Sequence, residues 1–168
     1  MMIVLRIIHI LFGVFWAGGA FVAAMFLVPS VRAAGPAGGA VMRQLMEVRK
    51  FPIYAIVFGL LTVLSGLWMY FHDNSISNGT FAKSRAGMTY GIGAIAAILT
   101  LVVGATIMGP TGAKMAKLMG EIAAQGTPPS PQQQEMIKGL QARLGLGTRL
   151  ASALLGITVI TMAIGRYV

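Results

Sequence analysis

Cysteine is absent from this 168-residue chain, and acidic side chains are scarce, with Glu47, Asp73, Glu121 and Glu135 as the only four. Without cysteine there is no disulfide, no thiolate metal site and no Cys nucleophile, and the redox compartment stays open. Charge is thin altogether. It makes up 10% of the residues, where a soluble domain carries about 25%. Histidine occurs twice, as His9 and His72, with no HxxxH or ExxH spacing that would hold a metal. No Ser/His/Asp set and no phosphate-binding glycine loop is present. The methionines form no MxxM cluster, and the pairs Met42/Met46 and Met115/Met119 read as helix packing.

What is abundant is apolar sequence. Hydrophobic residues make up 57% of the chain, with a mean hydropathy of +0.80. They gather in four runs, 3–28, 53–71, 87–108 and 150–164, and none contains Asp, Glu or Lys. A bilayer core about 30 Å thick takes about 20 apolar residues of helix to cross. Three runs meet that outright, and the fourth does when extended toward both sides. Crossings are therefore predicted at about 3–28, 53–71, 87–108 and 146–166. The expected fold class is all-α: a single four-transmembrane-helix bundle with cytoplasmic helical extensions, including a helical hairpin over about 110–145. The first run, about 25 residues, is longer than the apolar region of about 7–15 in a cleaved leader, so it is expected to remain as a membrane helix.

The net charge of +9 is not a nucleic-acid signal, because the cations flank the apolar runs instead of forming a patch interleaved with aromatics. They act as topology signals and as contacts for anionic headgroups. With four crossings, both termini share side A with Arg6, Lys83, Arg85 and Arg166. Side B takes Arg32, Arg43, Arg49, Lys50, Lys114, Lys117, Lys138, Arg143 and Arg149. The positive-inside rule makes side B cytoplasmic. The expected location is a bacterial inner membrane with both termini periplasmic. The expected partners are the lipid bilayer and other membrane subunits or further copies of the chain, with no nucleic acid.

Punctuation along the chain is clear. The first helix is expected to end by Pro29, and Gly35-Pro36 marks a turn into a short helix over 37–50. Trp68, Tyr70 and Phe71 close the second crossing as an aromatic belt. Asn78-Gly79 reads as a turn in a polar outer loop. The third crossing is expected to stop near Gly109-Pro110, with a helix over 112–124 beyond a proline kink. Ser130-Pro131-Gln132-Gln133 supplies an N-cap, a proline at the first helical position and a capping-box glutamine. From there one helix runs into the last crossing. Small residues recur at helical spacing: Gly13, Ala17, Ala20 and Ala24; Gly59, Thr62 and Gly66; Gly87, Gly91, Ala94 and Gly104; Ser152, Gly156 and Ala163. Lipid gives no hydrophobic drive between helices, so close backbone approach must supply the packing.

His9 is the residue that could carry chemistry. It lies three positions after Arg6 on one helix face, followed by Gly13 and Ala17. An ionisable group inside a membrane helix is a functional candidate by default. Two readings are open. His9 is an axial haem ligand, the small residues making room for a flat macrocycle, or it is a satisfied hydrogen-bonding residue between helices. His72 falls on the same side and could supply a second axial ligand, or sit exposed at the headgroups beside Asp73. Arg6 could pair with a haem propionate or a lipid phosphate, or snorkel to the surface, and Arg166 has the same options. Trp16 and Trp68 read as packing residues.

Leu5-Arg6-Ile7-Ile8-His9-Ile10 followed by Gly13-Val14-Phe15-Trp16-Ala17-Gly18 resembles the first helix of the CopD/HemJ-like group of small four-helix membrane proteins. Ser65-Gly66-Leu67-Trp68-Met69-Tyr70 resembles the close of that group's second segment. The resemblance covers about the first 70 residues. It implies haem b bound through His9. The lysine that supports protoporphyrinogen oxidation in the HemJ-like enzymes has no counterpart, since Gly87-Met88-Thr89-Tyr90-Gly91 occupies its region and Lys83 falls before the crossing. The copper handling of CopD-like members is not matched by His/Met richness. Two functional classes emerge: a non-catalytic subunit of a larger respiratory or photosynthetic membrane complex, and a haem b redox protein centred on His9.

Overall fold

The computed structural model describes the backbone of all 168 residues and every side chain except those of Arg32, Pro36 and Ala37. Arg32, counted with the side B cations, therefore has a side chain outside the described residues. Helix α1 (Met2–Val22) passes through a π-turn (Ala23–Leu27) into α2 (Val28–Ala33). Helix α3 (Pro36–Arg43) ends in a second π-turn (Gln44–Val48), and α4 (Phe51–Ile76) comes next. Helix α5 (Arg85–Val103) continues through a third π-turn (Gly104–Met108) into α6 (Gly109–Gln125). Helix α7 (Pro131–Ile164) is unbroken over 34 residues. No strand occurs among the described residues. Four stretches are long and apolar enough to cross a membrane: Met2–Val31, Phe51–Ile76, Arg85–Gln125 and Pro131–Ile164. The chain is an all-α helical bundle suited to a bilayer.

The helix stop expected at Pro29 is not a stop, and the helix expected beyond a proline kink at Pro110 runs on from the crossing. Pro29 and Pro110 lie inside continuous helix. Proline has no N–H, and its ring collides with the carbonyl four residues back. The turn just before each proline has widened to relieve this, so that Val28 N–H bonds to Ala23 O and Gly109 N–H to Gly104 O. Ending the helix instead would leave several carbonyls bare in hydrocarbon, each at a cost of several kcal/mol, whereas a π-turn gives up only about one bond.

The ends that do terminate have specific chemistry. Ser130 Oγ accepts from Gln133 N–H at 3.2 Å while Gln133 Oε1 accepts from Ser130 N–H at 2.8 Å, the reciprocal box that starts α7. Gly126 closes α6 at φ 64. Asn78 and Gly79, at φ 52 and 81, make the turn between α4 and α5. Asn74 pins that loop, accepting Ala82 N–H on its side chain at 3.0 Å and Gly79 N–H on its carbonyl at 2.8 Å.

The crossings form a ring. α1 packs most extensively on α4, and α5 on α7; α4 also touches α5, and α7 returns to α1. Trp16, Ala97 and Leu155 meet at the centre, with Ala20, Phe58, Val63 and Leu101 against them. Burial is otherwise sparse. In the hydrophobic windows of the four crossings, between 11% and 22% of residues are buried inside the chain itself. That is the burial expected of helices whose outer faces meet lipid or other helices.

Candidate functional site

His9 is held by α4. Its Nδ1 lies 2.8 Å from the Thr62 carbonyl oxygen. A carbonyl only accepts, so Nδ1 carries a proton and donates it, which in a neutral imidazole leaves the lone pair on Nε2. The imidazole lies over Gly66, where an added Cβ would come within 2.6 Å of His9 Cε1. Thus Gly66 is the notch, and the ring fills it. Nearby hydroxyls turn back onto α4: Thr62 Oγ1 donates to Phe58 O at 2.7 Å, and Ser65 Oγ to Leu61 O at 2.5 Å and Thr62 O at 3.1 Å. The Thr62 carbonyl therefore receives both the imidazole and the Ser65 hydroxyl.

The other candidates do not join His9 in one cluster. Arg6 is exposed and lines an open hollow on the outside of α1 with Ile3, Ile7, Ile10, Leu11 and Val14. His72 is half-buried. It stands six residues past Gly66, hence about 9 Å further along α4 and about 120° round it, so the two imidazoles do not face each other across one ligand. Arg166 is exposed beyond the end of α7. Among the described residues no group of three or more His, Asp or Glu could hold a metal. A second open hollow lies on α3 and its π-turn, lined by Ala40, Val41, Gln44, Leu45 and Arg49. Neither hollow includes a histidine.

The donor geometry suits haem better than the space does. An imidazole whose Nδ1–H is fixed on a carbonyl is the usual arrangement of a metal-binding histidine. Yet the gap that Gly66 leaves between α1 and α4 is occupied by the imidazole itself. A macrocycle would have to approach the half-buried ring from outside the bundle. Trp16 is 8% exposed and packs on Gly59, as expected of a packing residue, and Trp68 faces outward.

A second interhelical link was not read from the sequence. Thr158 Oγ1 shares its one proton between its own Leu154 carbonyl at 3.0 Å and the Gly93 carbonyl at 3.2 Å, the latter across α5 and α7. Gly93 also abuts Thr161 Oγ1, and Tyr90 lies over Gly165, where a Cβ would come within 2.6 Å of its ring. The available signal was Thr158 and Thr161, two hydroxyls on one face of an otherwise apolar run. Two of the glycines singled out from spacing serve other ends. Gly87 makes room for the Phe81 carbonyl of its own preceding loop, and Gly104 has open space where a Cβ would sit. Ser152 Oγ is buried without a hydrogen-bond partner among the described residues. At the end of the bundle that holds the α4–α5 loop, Tyr70, Phe81 and Tyr90 form an aromatic cluster, with ring centroids 5.5 and 6.4 Å apart.

Compared with known proteins, the chain matches no family model, no curated protein and no solved structure.

Proposed function

We propose that the chain is a non-catalytic accessory subunit, packing against other helices in a larger membrane complex of the respiratory or photosynthetic kind. In this reading it lies in a bacterial inner membrane with side B cytoplasmic. The observation that carries it is the outer face of α1 and the π-turn after it. Ile7, Leu11, Val14, Val22 and Met25 are exposed along one stripe. Gly18 sits at its centre with nothing within 4 Å of where its Cβ would be. Lipid tails do not need such a notch, whereas a neighbouring helix gains close backbone approach from it. The imidazole and the interior threonines, meanwhile, are spent on bonds inside the bundle.

The test is Gly18→Leu in the native membrane. Mild-detergent extraction of the unaltered chain should recover stoichiometric membrane partners. Gly18→Leu should lose them while melting at the same temperature, because no intrachain atom is near. If the unaltered chain comes out alone, the subunit reading fails; if it crosslinks only to itself, the partner is a second copy.

The free Nε2 of His9 favours a second reading, a haem b protein with His9 as axial ligand and Arg6 at a propionate. Haem would supply one-electron chemistry. The chain's part is to fix the imidazole tautomer through Thr62. A Soret band in the purified protein that disappears in His9→Ala supports it, and a colourless preparation from haem-replete cells removes it.

A further inference from the structure

Exchanging α1 with α5, and α4 with α7, maps the contacts among the four long helices onto themselves: α1/α4 becomes α5/α7, and α4/α5 becomes α7/α1, while the packing of α6 and its π-turn on α7 has no equal on α4. The correspondence extends to residues. The π-turns Ala23–Leu27 and Gly104–Met108 are each five residues long, and each leads after one residue to a proline, Pro29 or Pro110. At the same sequence offset His9 corresponds to Tyr90. Both rings cover a glycine opposite, Gly66 within α4 and Gly165 capping the end of α7. Four residues before each glycine stands a threonine, Thr62 and Thr161. The matches on α1 and α5 share one sequence offset and those on α4 and α7 share another, and both fall within the same exchange of long-helix contacts.

We propose that the bundle is two copies of one helical hairpin related by a two-fold axis along its length, and that the element both copies share, the proline-linked π-turn, is a hinge. The π-turn has a wide, poorly held backbone, and proline removes a further ladder bond from it. Sharp changes of helix direction concentrate at these two features. The second hinge is further loosened by Gly104 at its start and Gly109 just after it, and nothing lies within 4 Å of a Cβ at Gly104. Against these jointed helices stands α7, unbroken over 34 residues. It seats Gly147 on Ile107 and Met108 of the second hinge, and Gly156 on Phe21 just ahead of the first. The device lets α2 pivot at its joint and α6 shift along α7, on which it packs, while α7 keeps the two ends in register.

The cysteine-free background makes the test direct. Paired spin labels are placed on the full chain in lipid vesicles at Ile98→Cys with Glu121→Cys, spanning the second hinge, and at Val14→Cys with Ser30→Cys, spanning the first. Gln141→Cys with Val159→Cys, along α7, gives the reference. Both hinge pairs should give distance distributions about twofold broader than the α7 pair, as joints in otherwise stiff helices do. Pro110→Ala should narrow the Ile98/Glu121 distribution to the α7 width. Equal widths in the unaltered chain overturn the hinge, and this comparison stands alone if Pro110→Ala does not fold. A folded Pro110→Ala protein with unchanged breadth also overturns it. Broadening at one hinge only overturns the repeat.

Discussion

The hairpin of α1 with α4 and the hairpin of α5 with α7 solve one packing problem with different side chains. The first is aromatic. Phe12 and Phe15 lie with ring centroids 5.3 and 5.7 Å from that of Phe58, and Trp16 is buried at the centre. It is tied across the gap by an imidazole. The second is lined by small residues, with Gly93, Ala96, Ala97 and Thr100 buried on α5 and Ala151 and Thr158 on α7. It is tied by a hydroxyl. In both, the tie runs from a side chain to a backbone carbonyl, and a glycine beside it provides the room. Without a hydrophobic drive between helices, shape and a few hydrogen bonds must decide which faces meet. Either a large ring in a notch or two backbones brought close will serve.

The largest expected effect comes from attacking close approach. Gly93→Leu should drive a side chain into Thr161 and Met162 and break the Thr158 bond. The expected loss is about 3 kcal/mol or more, read as loss of folded protein in a detergent melt, whereas Gly156→Leu, facing only Phe21 Cζ at 3.7 Å, should cost clearly less. Equal losses would mean that close approach is not what distinguishes the second hairpin.

Next is the notch of the first hairpin. Gly66→Ala should cost about 1–3 kcal/mol through overpacking against His9. The same change in a His9→Ala background should cost much less, since the ring that it meets is gone. A double-mutant cycle with no coupling would mean that the imidazole does not depend on the notch.

The smallest effect is in the ties. His9→Phe and Thr158→Val each remove one interhelical hydrogen bond, worth about 0.6 kcal/mol and at most about 1.7 in membrane helices. His9→Phe should be the costlier, because it leaves the Thr62 carbonyl with a poorer set of donors and puts a wider ring over Gly66. The reverse order of melting temperatures would show the hydroxyl tie to be the stronger.

Much of the fold was legible in the sequence. The four apolar runs gave the class, since their length and lack of acids leave few other solvents. Ser130 and Gln133 gave the start of α7, and Asn78-Gly79 the turn between α4 and α5, because caps and turns are local and need no tertiary context. Pro29 misled because proline rules come from helices in water, where ending a helix is cheap, whereas at Pro110 the helix runs on through a distortion as expected. In hydrocarbon a distorted helix is preferable to a terminated one. His9 was visible as an anomaly, but its partner was not. The acceptor is a backbone carbonyl, which every residue carries, and only Gly66 with Thr62 one turn earlier marked the place. The repeat was hidden for a similar reason. Its two copies share a geometry and few side chains, and imidazole against phenol does not register as a match until both rings are seen above glycines.

Because α7 closes the ring by touching α1, the order in which the chain is synthesised bears on its assembly. The α1/α4 interface is complete once Ile76 has emerged, and Asn74 fastens the loop that leads on to α5. The first hairpin can therefore enter the membrane as a finished unit and wait, its flank open, until the last helix arrives to cover it.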